Sequence, residues 1–145
     1  MYSCGVVHGS LSSQLVTHAA RLVRVVTRAA ASESPASLRL LSQLDELGPL
    51  TVTDLARADR TAQPTTSAAV KAMEERGLVT RAANRTDARS TLVTLTPSGR
   101  AELATARARN AAVLDELVAR RGVSPEDLET AVAVLRTLTA PSTEN

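Results

Sequence analysis

The chain has no Phe and no Trp, and Tyr2 is its only aromatic residue. Aromatic rings normally supply much of a core's buried apolar area. Without them the interior falls to Leu, Val and Ala, which suit closely packed helices and argue against a pocket that works by ring stacking. Cys4 is the single cysteine, so an intrachain disulfide is excluded and a reducing cytoplasm fits. His8 and His18 are the only imidazoles and form no compact ligand motif with Cys4, so no metal site is expected. There is also no glycine-rich phosphate loop and no acid–base or nucleophile constellation, so neither catalysis nor a cofactor is expected. The start MYSCGVVHGS lacks the basic end and long apolar run of a signal peptide. No stretch approaches the roughly 20 apolar residues that span a bilayer. A cytoplasmic location and no membrane partner are the expectation.

What is present is charge, unevenly placed. The formal net charge over 145 residues is +2, almost all of the positive side being Arg. From Val52 to Arg100 eight basic residues stand against five acidic ones, a balance of +3. From Ala101 onward five basic residues stand against seven acidic ones, a balance of −2. The middle of the chain is therefore the part suited to a polyanion.

The length fits one domain with helical extensions. Residues 1–10 read as a flexible tail, with Ser10 or Ser12 capping a first helix. Its apolar stripe is Leu11, Leu15, Ala19, Leu22, Val26 and Ala29, while Arg21, Arg24 and Arg28 lie on another, solvated side. Ser34-Pro35 starts a second helix with Leu38, Leu41 and Leu44 inward, ended by Gly48-Pro49. Residues 11–48 thus form N-terminal helices for scaffold and dimerisation. Thr51, answered by Asp54, opens a short helix with Leu55 and Ala56 inward that ends near Asp59 or Arg60. Pro64 starts another, with Thr66, Ala69, Val70 and Met73 inward, closed by Gly77. Leu78–Ala82 and Thr91–Leu95 are β-prone and flank a polar, turn-rich loop, Ala83–Ser90, which predicts a hairpin with a basic tip. Two helices across a tight turn followed by such a hairpin give a winged helix-turn-helix over residues 49–96. Thr96-Pro97 opens a long Ala-rich helix with Ala104, Ala108, Ala111, Leu114, Leu117 and Val118 inward, stopped by Gly122. Ser124-Pro125 opens the last, with Leu128, Ala131, Val132, Leu135 and Leu138 on one side. Residues 97–140 read as C-terminal dimerisation helices and 141–145 as a flexible tail. The fold class is mainly α with a small β-hairpin wing (α+β).

Leu55-Ala56, Met73-Glu74-Glu75-Arg76-Gly77-Leu78-Val79, Arg81, Asp87-Ala88-Arg89, Val93-Thr94-Leu95-Thr96 and Gly99, in that order and spacing, closely resemble the MarR family of bacterial transcriptional regulators. The order of helices and strands agrees over the whole length. The resemblance implies a homodimer whose N- and C-terminal helices interlock. It implies two winged modules on a pseudo-palindromic, double-stranded DNA operator, repression, and in many members release by a small molecule bound between the dimerising and DNA-binding regions. Some members instead sense oxidants through a cysteine.

On that resemblance the recognition helix is Ala62–Arg76, with Gln63, Pro64, Thr65, Ser67, Ala68 and Lys71 outward or at the margin. Gln63 can bond an adenine edge in bidentate fashion. Thr65 and Ser67 can reach phosphates or bases, or cap the helix instead. Lys71 suits a phosphate. In the wing, Arg85 and Arg89 are the two candidates for the minor groove, where a guanidinium suits the narrow, negative slot. Asp87 repels phosphate and reads as the residue that orients the wing, holding Arg89 or the loop backbone. The chain departs from the family pattern at Asp59 and Thr61, where apolar residues usually pack the turn, at Thr66, where Val is common, and at Ala68, often a base-reading polar residue. The first three suggest a loosely packed turn and the last suggests greater reliance on the wing. The effector is unknown: Arg21, Arg24 and Arg39 offer positive charge near the family's pocket, though an ion-pair role fits them better. Cys4 has no neighbouring cation to lower its pKa and reads as an incidental thiol. A winged-helix module that binds protein rather than DNA is the alternative, disfavoured by the basic wing.

Overall fold

The computed structural model describes residues 5–30 and 35–140, with side chains from Ser10 onward. In chain order the elements are α1 (Gly5–Ala29), α2 (Pro35–Leu47), β1 (Leu50–Thr51), α3 (Val52–Asp59), α4 (Gln63–Glu75), β2 (Val79–Ala83), β3 (Thr91–Leu95), α5 (Pro97–Arg121) and α6 (Pro125–Thr139). This is the mainly helical winged architecture expected.

Local chemistry explains most boundaries. The Thr51 hydroxyl accepts from the Asp54 N–H at 3.1 Å and donates to the Asp54 carboxylate at 2.7 Å, which fixes the start of α3. Ser124 and Asp127 repeat that pair at the start of α6. Gly122, with φ +66°, takes the left-handed conformation that ends α5. The Ser34 cap and the 141–145 tail lie outside the described residues. The expected tail over 1–10 is corrected: α1 already runs from Gly5. Ser10 is an interior position whose hydroxyl accepts from the Gln14 side chain at 3.1 Å rather than capping the helix.

The core is one cluster of aliphatic side chains around Met73. Leu40, Leu41 and Leu44 come from α2, Leu55 from α3, Val70 and Met73 from α4, Leu78 and Val79 from the strand entry, Val93 and Leu95 from β3, and Leu103 from α5. The sheet is antiparallel in the order β1-β3-β2. Val79 pairs with Leu95 and Ala83 with Thr91, so the period of two sends Val93 and Leu95 inward. β1 was not expected; it adds an edge, Leu50 opposite Val93, too short to show any alternation.

Two corrections concern α5. Its expected inward alanines, Ala104, Ala108 and Ala111, are exposed, and Leu103 is the buried anchor, because an alanine stripe carries too little apolar area to fix the helix's rotation. The first turn of α5 instead sets its position. A Cβ on Gly99 would lie 2.0 Å from the Leu78 carbonyl oxygen. The Leu78 oxygen accepts the Thr96 N–H at 3.1 Å, and the Thr96 hydroxyl donates to the Gly77 oxygen at 2.6 Å. The start of α5 is therefore clamped onto the end of α4.

The long helices leave apolar area uncovered. α6 has no buried residue, with Val132, Val134, Leu135 and Leu138 exposed. On α1 only Val26 is buried among the described side chains, and Leu11, Leu15, Val16, Leu22, Val23 and Val25 are exposed. No described helix is long and apolar enough to cross a membrane.

The Gly99 contact generates a stability prediction. Gly99→Ala should destabilise the fold by about 3 kcal/mol or more in a denaturant titration, since backbone rather than a flexible side chain must move. Gly122→Ala, which meets nothing within 4 Å, should cost only about 1–2 kcal/mol for its left-handed φ.

Candidate DNA-binding interface

α4 turns one row inward and another outward. Thr66, Val70 and Met73 are buried. Gln63, Pro64, Thr65, Ala68 and Lys71 are exposed, and Ser67 is half-buried at the margin. The N-cap is Ala62, which has extended backbone and offers no side-chain cap. Thr65 and Ser67 therefore do not cap the helix, and their hydroxyls remain on the outward side. The first-turn N–H groups have no side-chain acceptor and, with the helix dipole, favour an anion there.

The wing is an ordered loop between β2 and β3. Asn84 closes it, accepting the Thr86 N–H at 3.1 Å and hydroxyl at 2.8 Å, while its own N–H donates to the Ser90 oxygen at 3.1 Å. Asp87 accepts the Arg89 backbone N–H at 3.0 Å. Of the two roles expected for Asp87, the observed contact is with the loop backbone and not with the Arg89 guanidinium. Arg85 and Arg89 project exposed from this scaffold.

Ion pairing sharpens the charge of the face. Asp54 is taken up by Arg57 at 2.8 Å, Glu74 by Arg81 at 3.1 Å, and Asp59 by Arg39. Lys71, Arg85 and Arg89 make no ion pair among the described residues. Three of the five acidic residues counted in the middle segment are thus neutralised locally, while Lys71 on α4 and Arg85 and Arg89 in the wing keep unpaired charge among the described residues.

The turn between α3 and α4 departs most from the loose packing expected of it. Arg60 adopts a left-handed conformation, φ 53°. The Asp59 side chain, 2% exposed, receives Arg39 through Nε and through Nη2, the latter at 2.9 Å, and the Gln43 amide at 3.3 Å. Thr61 and Thr66 share a hydroxyl hydrogen bond of 2.8 Å. Asp59 and Thr61 thus replace apolar packing with a polar network. Sequence reasoning missed the Arg39–Asp59 pair because its members lie 20 residues apart on different helices. The Arg39 hydrogen bonds hold the Asp59 carboxyl below the usual carboxylate range, against the opposing effect of burial.

A cavity of about 180 Å³ lies between the end of α1, α2 and α5, close to the end of α4. Arg76, Glu102, Arg109 and Asn110 form its polar side, and Leu38, Leu41 and Leu78 its apolar side. Arg21 and Arg24 are not among its lining residues; with Arg28 they flank a shallow groove on α1 itself. Arg39 is engaged by Asp59. No group of three or more His, Cys, Asp or Glu among the described residues is arranged to hold a metal, and Cys4 lies outside them.

The MarR family model matches residues 34–91, from the start of α2 through the wing. A putative transcriptional regulator from Pseudomonas aeruginosa PA01 is similar at 26% identity, with TM-score 0.74 over 90% of this chain and 91% of that one. A MarR family protein from Bacillus stearothermophilus shares the fold at 24% identity and TM-score 0.73, over 94% and 96% of the two chains. So does Bordetella bronchiseptica BpsR, described as regulated in its DNA binding by 6-hydroxynicotinic acid, at 22% identity and TM-score 0.60 over 97% and 99%. Comparison with curated protein sequences returns no match.

A group whose folded pKa is depressed contributes stability above its unfolded pKa and loses that contribution as pH falls through the folded value. Asp59→Asn should therefore cost about 1.5–3 kcal/mol at pH 6. The gap between wild type and variant should close below about pH 4, as followed by denaturant titrations at stepped pH. A gap that stays constant down to pH 2.5 would show that the ionised carboxylate is not what matters.

Proposed function

We propose that the chain, whose residues 34–91 match the MarR family model and which resembles a putative transcriptional regulator at 26% identity, is a DNA-binding transcription regulator that acts as a homodimeric repressor on a pseudo-palindromic operator. The observation that carries this reading is the pairing of an outward, uncapped α4 face with a wing whose Arg85 and Arg89 have no acidic partner among the described residues. α4 enters the major groove by its N-terminal turns, where Gln63 meets an adenine edge and Thr65 and Ser67 meet bases or phosphates. Lys71 takes a phosphate farther along, and Pro64 lies against the groove wall. Arg85 or Arg89 enters the adjacent minor groove, with Asp87 holding the loop that aims them. With short side chains at Thr65, Ser67 and Ala68, the wing and DNA shape carry a large share of the specificity.

The second copy is the occupant that the uncovered faces of α1 and α6 call for. An isolated helix of this length is marginal in water and takes its stability from packing an apolar face, yet α6 buries none of its residues in the single chain. Residues 11–48 and 97–140 then serve as dimerising scaffold, and the winged modules sit about 34 Å apart, one DNA turn. The effector is a small organic acid. The cavity beside α2 and α5 pairs the cations Arg76 and Arg109 with an aliphatic floor, a chemistry that fits a compact carboxylate, as 6-hydroxynicotinic acid is for the Bordetella protein. Glu102 lies 3.9 Å from Arg76, so an anion seated there competes for a residue that ends the recognition helix.

Gel shifts against the chain's own upstream DNA at several salt concentrations test the reading, and binding no tighter than to random DNA would sink it. Arg89→Ala should weaken binding by about 1–3 kcal/mol; an unchanged affinity would transfer the role to Arg85. Sedimentation should give twice the 15.2 kDa chain mass. Leu135→Glu, which puts a charge on the uncovered α6 face, should return the protein to monomer and lower operator affinity at least about tenfold.

A further inference from the structure

The network at the helix-turn-helix turn is larger than the turn needs. Its anchor is on α2, which belongs to the scaffold. Arg39 and Gln43, one helical turn apart, both donate to Asp59, the last residue of α3. The orientation of the Gln43 amide follows from that contact: only its NH2 group can face a carboxylate, and its Oε1 is left buried without a hydrogen-bond partner. An orphaned acceptor is a cost, tolerated here to bring a further donor to Asp59.

The chain of contacts then runs onward. Thr61 follows Asp59 by two residues in the same turn, where Arg60 takes its left-handed conformation. The Thr61 and Thr66 hydroxyls share a hydrogen bond of 2.8 Å. Thr66 lies in the first half of α4, 1% exposed, in the row that continues with Val70 and Met73. A valine there would fill the same space with no buried hydroxyl to satisfy. The hydroxyl is therefore not required by packing; it ties the recognition helix to one end of a tight turn whose other end, Asp59, is held by α2.

We propose that Arg39, Asp59, Thr61 and Thr66 form a positioning clamp that fixes the N-terminal half of the recognition helix against α2 and so sets how sharply the protein discriminates its operator from other DNA. None of the four need touch DNA. Apolar packing restrains a helix against leaving its groove but resists small slides and rotations weakly. Hydrogen bonds at both ends of a tight turn, one end held by a bidentate guanidinium, are restrictive in angle and distance. Base readout needs that restriction, since contacts from short side chains such as Thr65 and Ser67 tolerate errors of only about 0.5 Å. Phosphate contacts through Lys71 and the wing arginines are more forgiving, so non-specific affinity does not depend on the clamp.

The inference rests on the DNA-binding reading, and its test separates the two. The wild-type protein is used to select a preferred duplex from a random-sequence pool. The ratio of its affinity for that duplex to its affinity for a scrambled duplex of equal composition is then measured for each variant at one salt concentration. Thr66→Val and Arg39→Gln should each lower the ratio about tenfold or more while leaving scrambled-duplex affinity and the salt dependence of binding unchanged. Arg39→Lys, which keeps the charge but not the fork, should fall between. A merely stabilising role predicts the opposite for Thr66→Val. On that role its thermal midpoint should fall, because a stabilising hydrogen bond is lost, and its discrimination should be intact. Thr66→Val and Arg39→Gln that discriminate like wild type overturn the clamp alone. A wild type that selects no preferred duplex overturns the DNA-binding reading and takes the clamp with it, an outcome read before any variant is made.

Discussion

The contact on which the rest of the molecule depends is the one between the first turn of α5 and the Leu78 carbonyl. Gly99 allows it, because any side chain would occupy the space the oxygen fills. Thr96 reinforces it from both its groups, the N–H to Leu78 and the hydroxyl to Gly77. Three things meet at that point: the end of the recognition helix, the entry to the wing through β2, and the root of the long helix that carries α6. Arg76 and Glu102 face each other across the same junction, and the cavity opens beside it. A rigid root means that the direction of α5 dictates the placement of α4. A soft root would let the two modules drift and would leave a ligand at the cavity without leverage.

Around that root the chain uses two kinds of interior. The main one is aliphatic, built from Leu and Val with Met73 at its centre. It gains its stability from buried area and from many weak, non-directional contacts. The second is the polar network at the turn, where Arg39, Gln43 and Asp59 replace packing with directional bonds. A half-buried pair of this kind adds little net stability over an apolar alternative. Its value lies in geometry, and it stands at the approach to α4, the proposed recognition helix. The wing follows the same logic, with Asn84 and Asp87 fixing a loop by side-chain to backbone bonds so that two exposed arginines have a defined base.

How much of this was legible in the sequence follows from the range of each interaction. Caps are local: Thr51, Thr96 and Ser124, each opening a helix, were readable from neighbours three residues away, and each accepts the expected N–H. The period-two pattern of Thr91–Leu95 and the breaks at Gly48, Gly77 and Gly122 were equally local. The inward row of α4 was readable because Val70 and Met73 are large. α5 was misread because alanines mark no face strongly, and its rotation is set by the non-local Gly99 contact. β1 is two residues whose strand character exists only opposite Val93. Asp59 looked like a defect in an apolar turn because its partner lies 20 positions back on another helix. The outward residues of α4 and the wing arginines were legible as exposed positions, but which of their charges remain free was not. That depended on Arg57 and Arg81 capturing Asp54 and Glu74.

The uncovered faces complete the argument about why the chain is so lopsided. A 15-residue helix with no buried side chain gains nothing from the fold that carries it, and its apolar row would be a liability on a lone molecule. In the proposed dimer, α1 and α6 of a second copy cover that row, which removes the liability and makes assembly part of folding. The same proposed arrangement would set the distance between two copies of α4 through structures that are already stiff: the capped α6, the continuous α5 and the root at Gly99. Spacing on DNA would then follow from covalent geometry and helix length, with only the fine registration of each α4 left to side chains. On the proposed reading, that division of labour lets a chain without aromatic anchors and with few long polar side chains on α4 read a sequence: the scaffold would supply the spacing, the wing affinity and the turn the angle.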